Sequence, residues 1–313
     1  MRLVSGVRFA HCFLLAALLT VMPSCAPAPE LAEDPGEEEA AAESTSRVPV
    51  RENFTAHENL NSTLYVQTAA EYAALARQVF RSARRQMSRA LDQDGWTAFP
   101  PQEEMERYRE RPPAVVVDVD ETVLDNSPYQ ARLIREGKRY STESWNAWVR
   151  EERADPVPGA VRFAQAADEA GVTVIYLTNR DAEVEPATRR NLRAEGFPLA
   201  DDRDVILTQG EQPGWEGKPP RRRAVAEDFR ILLFLGDNLG DFLPDVERSL
   251  EARRRLVRRH FGYWGRRWFV LPNPQYGSWE GALYDYDYGL SRAETLRRKR
   301  RRLRTARDST GAK

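Results

Sequence analysis

The 313-residue chain is 41% hydrophobic and 30% charged, which accommodates one large domain or two small ones. Its net charge of −1 argues against a nucleic-acid polymer as partner, although acids crowd residues 30–43 and arginines crowd 292–304. Three histidines (His11, His57 and His260) are too few for a His-rich zinc site, and two cysteines, Cys12 and Cys25, leave no intrachain disulfide once a leader is removed.

In chain order, Arg2 and Arg8 precede an apolar stretch, 9–22, that is short for a transmembrane helix. It ends Val21-Met-Pro-Ser-Cys25, which resembles a bacterial lipobox. Residues 1–24 then read as a lipoprotein-type signal peptide with Cys25 as the lipidation site. Met22 and Pro23 depart from the usual Leu and Ala or Ser, so a secretory signal cut near Ala26 or Ala28 is the alternative. Residues 25–50, rich in Ala, Pro and Glu, cannot bury a core and read as a disordered acidic tether. The expectation is an exported, lipid-anchored protein at the cell surface. Ala26 after the cysteine, rather than Asp, favours the outer membrane in a Gram-negative source.

Residues 57–92 predict a helix whose stripe Leu64, Val66, Ala70, Tyr72, Leu75, Val79 and Phe80 covers a sheet. Asp94-Gly95 ends it, and Pro112-Pro113 precedes the first strand. Strands are then predicted at 114–118, 172–178, 204–208, 231–236 and 268–271. Helices are predicted near 159–170 and at 185–195, 219–228 and 241–255. This alternation implies an α/β fold with a parallel sheet and crossover helices. Residues 128–158 form an insert in which Trp145 and Trp148 share a helix face. Together the N-terminal helix, the insert and the C-terminal segment predict a smaller helical subdomain. One domain is expected over 51–290, with its sheet core about 112–272 and a basic tail at 291–313. The helical run 291–307 reads as a solvated charge run, with an anionic-lipid role as the minor alternative.

The chemistry sits at strand ends, where open α/β sheets bind ligands. Ala114-Val-Val-Val-Asp118-Val-Asp120-Glu-Thr122 puts two carboxylates at the end of a buried strand. One can attack phosphorus as a nucleophile and the other can serve as general acid and base. The second strand ends Thr178-Asn179-Arg180, and Lys218 is the sole lysine between 139 and 298. The fourth ends Gly236-Asp237-Asn238-Leu-Gly-Asp241. Each element has a bland reading as well. Thr178 could cap the next segment, Lys218 could be a loop lysine, and Asp237 and Asp241 could favour a helix dipole. Asp125 and Asn126 are expected to shape their loop through side-chain to backbone bonds.

Asp-x-Asp, Thr, Lys and Gly-Asp-x-x-x-Asp, in that order, resemble the four motifs of the haloacid dehalogenase (HAD) superfamily, with its HAD-like Rossmannoid sheet. The runs 118–129, Ser144-Trp-Asn-Ala-Trp-Val149, Pro156-Val-Pro-Gly-Ala-Val161 and Leu271-Pro-Asn-Pro-Gln-Tyr-Gly-Ser-Trp-Glu-Gly281 resemble the class C acid phosphatases of the lipoprotein e type, over about 55–290. The resemblance implies a Mg²⁺-dependent acid phosphatase and 5′-nucleotidase acting on small-molecule phosphomonoesters. It implies Asp118 as nucleophile, Asp120 as general acid and base, and Thr178 and Lys218 as holders of phosphoryl oxygens. The metal site would comprise Asp118, the Asp120 backbone carbonyl, Asp237 and waters, with Asp241 a ligand or orienting a metal-bound water. Trp145 and Tyr276 match positions whose rings sandwich a nucleobase, which favours nucleoside monophosphates, nicotinamide mononucleotide among them. Asn179 and Arg180 are further candidate substrate-binding residues. Trp145 could instead be core; Trp148 and Trp279 read as structural. The resemblance also implies a homodimer. The competing readings are a dehalogenase, against which Asp120 argues, a phosphatase without nucleotide preference, and a non-catalytic surface-binding lipoprotein.

Overall fold

The computed structural model describes residues 57–305. The signal segment, the tether with Cys25, and residues 306–313 of the tail lie outside the described residues. The core is a five-stranded sheet in the order β5-β4-β1-β6-β7. Its strands are β1 (Pro113–Val117), β4 (Thr173–Asp181), β5 (Ile206–Gln209), β6 (Arg230–Gly236) and β7 (Trp268–Val270). Every pairing is parallel. β1 and β6 are buried along almost their whole length, as expected of strands covered on both faces. Val117 lies in register with Tyr176 on one side and Leu235 on the other. The residues just beyond these three strands therefore emerge along one edge.

Helices α5 (Ala160–Glu169), α6 (Glu185–Ala194) and α7 (Lys218–Asp228) supply crossovers. The insert after β1 folds as α3 (Ser127–Glu136) and α4 (Thr142–Arg150), closed by a two-stranded ribbon of β2 (Leu124–Asp125) and β3 (Asp155–Pro156). Three helices complete the chain: α8 (Leu250–Arg259), α9 (Ser278–Gly281) and α10 (Arg292–Arg301). Among the described residues, no helix is long and apolar enough to cross a membrane.

Three expectations need correction. The helix of 57–92 is two helices, α1 (Leu60–Thr68) and α2 (Ala70–Leu91), broken at Ala69, whose ψ of 123° is extended. The buried stripe of α2 is Tyr72, Ala76, Phe80, Ala83, Met87 and Ala90. Leu75 falls about 100° from Ala76 around the axis and is exposed, as is Leu64 in α1. The helix of 241–255 begins only at Leu250, after a short 3₁₀ turn, Leu239–Asp241. Pro244 and a left-handed Asp245 (φ 50°) interrupt the span, and the Ser249 hydroxyl caps α8 by accepting from Ala252 N. Finally, the basic run is not simply solvated. Lys299 donates to Glu58 and to Glu280, and Arg298 and Arg302 lie near Asp285, so α10 is docked through ion pairs on both ends of the fold.

Candidate active site

Asp118 follows β1 directly, and its backbone N–H donates to Leu235 O at 2.9 Å, extending the pairing with β6. The chain then turns tightly, with the Val119 carbonyl accepting from Val123 and Leu124. Glu121 occupies the left-handed region at φ 57° in that turn. Beyond β6, Gly236 has no room for a side chain, because an added Cβ would lie 2.2 Å from Asp241 Oδ2. Its absence lets the Asp241 carboxylate fold back toward the strand end.

Three carboxylates meet there. Ligand oxygens of Asp118, Asp237 and Asp241 all lie within 4.8 Å of one another. Lys218, the first residue of α7, donates from Nζ to Asp118 Oδ1 and, at 2.6 Å, to Asp241 Oδ1. The other Asp241 oxygen accepts from Asn238 N at 2.8 Å. Asp237 accepts from Asn273 Nδ2 at 2.8 Å and from Thr122 Oγ1 at 3.3 Å.

Burial raises the Asp118 carboxyl well above the usual range; Lys218 opposes that shift, and Asp241, Asp237 and Asp120 add to it. Burial, reinforced by Asp241, pushes Asp237 up to about 7. Burial also opposes the charge on Lys218, but Asp118 and Asp241 outweigh it and hold the ammonium above its ordinary pKa. Carboxylate oxygens this close together form an all-oxygen donor set of the kind that suits a hard divalent ion.

Asp120 is gripped from behind. Thr178 Oγ1 donates to its Oδ2 at 3.2 Å, and Arg180 Nε to its Oδ1 at 2.9 Å. Asn126 Nδ2 also donates to Oδ1, at 3.0 Å. Asn126 in turn accepts from Trp148 Nε1, which places Trp148 in the core as expected. The neighbouring Asp125 accepts from Ser127 N at 2.8 Å, the expected loop-shaping bond. Thr178 and Arg180 are fully buried and lie off the cavity wall. Arg180, expected among the substrate-binding residues, places its guanidinium on Asp120, Thr188 and Asn126 rather than on the cavity wall. The Thr178 hydroxyl is likewise engaged, donating to Asp120 and accepting from Arg180 N.

A cavity of about 1050 Å³ opens over this edge. Asp118, Asp120, Lys218, Asp237 and Asp241 line it, and so do Trp145, Asn179 and Tyr276. Trp145 is 9% exposed, set edge-on to Tyr129 at 5.1 Å with the Arg180 guanidinium 5.8 Å over its ring. It is both wall and core. Asn179 Oδ1 accepts from the buried Arg221 at 2.6 Å. Tyr276 donates from its hydroxyl to Glu121 Oε2. Trp279, expected to be structural, is 40% exposed but donates to Tyr276 O at 3.1 Å and so braces that loop from outside.

Glu121, Asn126 and Asn273 were not singled out as site residues by sequence reasoning. Glu121 is 1% exposed and accepts from Asn126 N as well as Tyr276. Asn273 bonds Asp237 while its Oδ1 accepts from Gln275 N and Tyr276 N, tying the aromatic loop to the acidic cluster. The only sequence signal for these three was their position inside the runs that carry the resemblance.

Residues 37–279 match the family model described as HAD superfamily, subfamily IIIB (Acid phosphatase). The class C acid phosphatase from Bacillus anthracis is similar in structure, with a TM-score of 0.69 and 34% identity over 79% of this chain and 97% of that one. Its tungstate-bound form gives the same score and coverage at 35% identity. Acid phosphatase 1 of Solanum lycopersicum is 29% identical over 170 residues, 51% of this chain and 57% of that protein. The Stem 31 kDa glycoprotein of Glycine max is 23% identical over 164 residues, 51% of this chain and 58% of that protein. The chain thus spans little more than half the length of the curated relatives it matches. With the family match running through the parallel sheet and the acids at its carboxyl edge, the chain belongs to the acid phosphatases, the phosphomonoester hydrolases of HAD superfamily subfamily IIIB.

Proposed function

We propose that this chain is a Mg²⁺-dependent phosphomonoesterase that works through a phosphoaspartyl intermediate and prefers nucleoside monophosphates. The observation that carries the reading is the Lys218 ammonium bridging Asp118 and Asp241, beside Asp237, on the wall of one cavity. Asp118 attacks phosphorus in line, the ester P–O bond breaks, and Asp120 gives its proton to the leaving oxygen. Asp120 then takes a proton from water, whose oxygen displaces Asp118 and releases phosphate. Lys218 offsets charge on Asp118 and on the incoming phosphoryl oxygens. Thr178, Arg180 and Asn126 act one step back, holding the Asp120 carboxylate in position.

Asp118 and Asp237, with Asp241 beside them, fit a divalent cation by donor type and spacing. Mg²⁺ held there, with the Asp120 carbonyl as a further ligand, would draw charge from the phosphoryl oxygens. Trp145 and Tyr276 line the same cavity as the acids, which supports a base stacked on a ring while its phosphate reaches Asp118. The lipobox-like run ending at Cys25 supports acylation and a surface-anchored enzyme, with an outer-membrane location in a Gram-negative source.

The test is phosphate release from a chromogenic ester, a nucleoside monophosphate and glycerol phosphate, with Mg²⁺ and with chelator. Metal-dependent release, fastest on the nucleotide, is expected. No release from any of the three at saturating Mg²⁺ would sink the enzymatic reading; equal release from nucleotide and glycerol phosphate would remove the nucleotide preference alone.

A further inference from the structure

Helix α8 carries a surface that the catalytic site does not use. Arg254, Val257 and Arg258 stand at i, i+3 and i+4, so they share one face of the helix, and Phe261 follows two residues after its end. The helix ends at Arg259, and a turn in which His260 N donates to Leu256 O and Phe261 N to Arg258 O carries the chain on to Phe261. All four side chains are exposed, Val257 at 43% and Phe261 at 81%, the latter the most exposed large apolar residue described. No residue of α8 is buried. The opposite side rests on the body through Leu256, which packs against the core, and Arg253, which donates to Val246 O at 2.7 Å.

The charges on this face are uncommitted. Arg255 has an exposed pair with Glu251 at 3.1 Å. Among the described residues, no hydrogen bond or ion pair engages the side chains of Arg254, Arg258 or Arg259. An aromatic ring and an aliphatic side chain thus stand in water beside Arg254, Arg258 and Arg259, with Glu251, paired to Arg255, as the one acid of the helix. Two apolar side chains make only a small patch, but aromatic and aliphatic groups beside arginines are the composition of a segment that lies in a membrane interface.

We propose that the Arg254–Val257–Arg258 face of α8, with Phe261 in the turn at its end, docks on an anionic lipid surface. The arginines pair with lipid phosphates, and Phe261 and Val257 enter the boundary between headgroups and acyl chains. A nucleic acid satisfies the arginines too, but it offers Val257 nothing to pack on, since an aliphatic side chain has no ring to stack. A patch this small binds weakly by itself. It gains force as a second attachment beside another, where the first makes the second effectively intramolecular. With both in place, the protein would lie against the bilayer in one orientation instead of trailing from a tether.

The test uses the unacylated chain from residue 26 onward, which keeps every described element. Vesicles of phosphatidylcholine are compared with vesicles in which about one third is phosphatidylglycerol, whose negative surface attracts basic segments. Co-sedimentation with the anionic vesicles alone is expected, and it should weaken as salt rises. The Arg254→Glu/Arg258→Glu variant should lose partitioning by roughly tenfold or more, and Phe261→Ser by several-fold. Both variants should keep the parent's unfolding midpoint, because the substituted side chains are exposed. Equal partitioning of parent and double variant would overturn the proposal, as would binding to duplex DNA or an acidic protein without binding to anionic vesicles. Neither readout depends on phosphatase activity, so failure here and failure of the enzymatic reading are distinguishable.

Discussion

Tyr276 donates a hydrogen bond to the Glu121 carboxylate, joining the loop after β7 to the turn that carries Asp118 and Asp120. The proposed stacking ring is thereby fixed to the residue next to the proposed general acid. Tyr276→Ala removes both ring and tether, whereas Tyr276→Phe removes only the tether. With a stack worth roughly 1–3 kcal/mol per base, the alanine variant should lose about tenfold or more in kcat/KM on a nucleoside monophosphate. Glycerol phosphate, which has no ring, should be much less affected, and Tyr276→Phe should fall between. Equal losses on both substrates would assign the ring to the fold instead.

Trp145 should behave differently from Tyr276, because it is core as well as wall. Its edge-on contact with Tyr129 and its near-complete burial mean that Trp145→Ala removes packing, at a cost of about 3–5 kcal/mol for a large aromatic. A lowered unfolding midpoint should accompany the loss on nucleotides. Trp145→Phe should recover most of the stability and part of the nucleotide preference. Steady-state kinetics and thermal unfolding on the same preparations check both.

Asp118→Asn should abolish turnover yet leave the fold standing. The amide has the shape of the carboxylate but no anionic oxygen to attack phosphorus. Removing one of three crowded acids eases their repulsion when no metal is bound but also ends the ion pair with Lys218, which keeps Asp241, so the metal-free variant should unfold close to the parent near neutral pH. Substantial residual activity in a clean preparation would remove Asp118 as nucleophile.

Thr178 separates two accounts of the same motif. The resemblance implies a hydroxyl on the phosphoryl oxygens, but the geometry has it donating to Asp120 Oδ2 from a fully buried position. If it positions Asp120, Thr178→Val should lower kcat with little change in KM, shift the pH profile, and cost about 1 kcal/mol of stability for the lost hydrogen bond. A rise in KM for every phosphoester, with the pH profile unmoved, would restore direct contact with substrate.

The acidic edge of the sheet was legible in the sequence because its strands are uninterrupted apolar runs and each ends abruptly on acid or hydroxyl. Asp118 and Asp237 could be placed at one edge because parallel neighbours in register deliver their ends together. What stayed hidden depends on partners far away in the chain. Arg180 looks like a free cation at a strand end until Asp120, 60 residues earlier, is seen to take it. Glu121 looks like a turn residue until Tyr276 arrives from 155 residues later. The same holds for the basic tail, whose Lys299 finds Glu58 only once both ends of the fold meet. The break at Ala69 had no proline or glycine to announce it.

The acidic cluster should make stability depend on pH in a direction opposite to the common carboxylate case. Asp237 has a folded pKa raised to about 7 from an ordinary value near 3.8. Between those values the folded state holds a proton that the unfolded state has released. Folding is then favoured at the acid end of the window, and this contribution is lost as pH rises toward 7. The metal-free protein should accordingly carry a destabilising slope over pH 4–7 that Asp237→Asn makes shallower, since the amide neither titrates nor repels its neighbours, while the raised Asp118 and Glu121 carboxyls keep part of it. Mg²⁺ should reverse the trend, because a bound cation favours the ionised carboxylates and releases their protons. The rise in unfolding midpoint on adding Mg²⁺ should therefore be small near pH 4 and grow toward pH 7. Thermal unfolding of parent and Asp237→Asn, with chelator and with Mg²⁺ across that range, measures all four arms. A metal-induced shift that is independent of pH, or one retained in full by Asp237→Asn, would place the cation elsewhere.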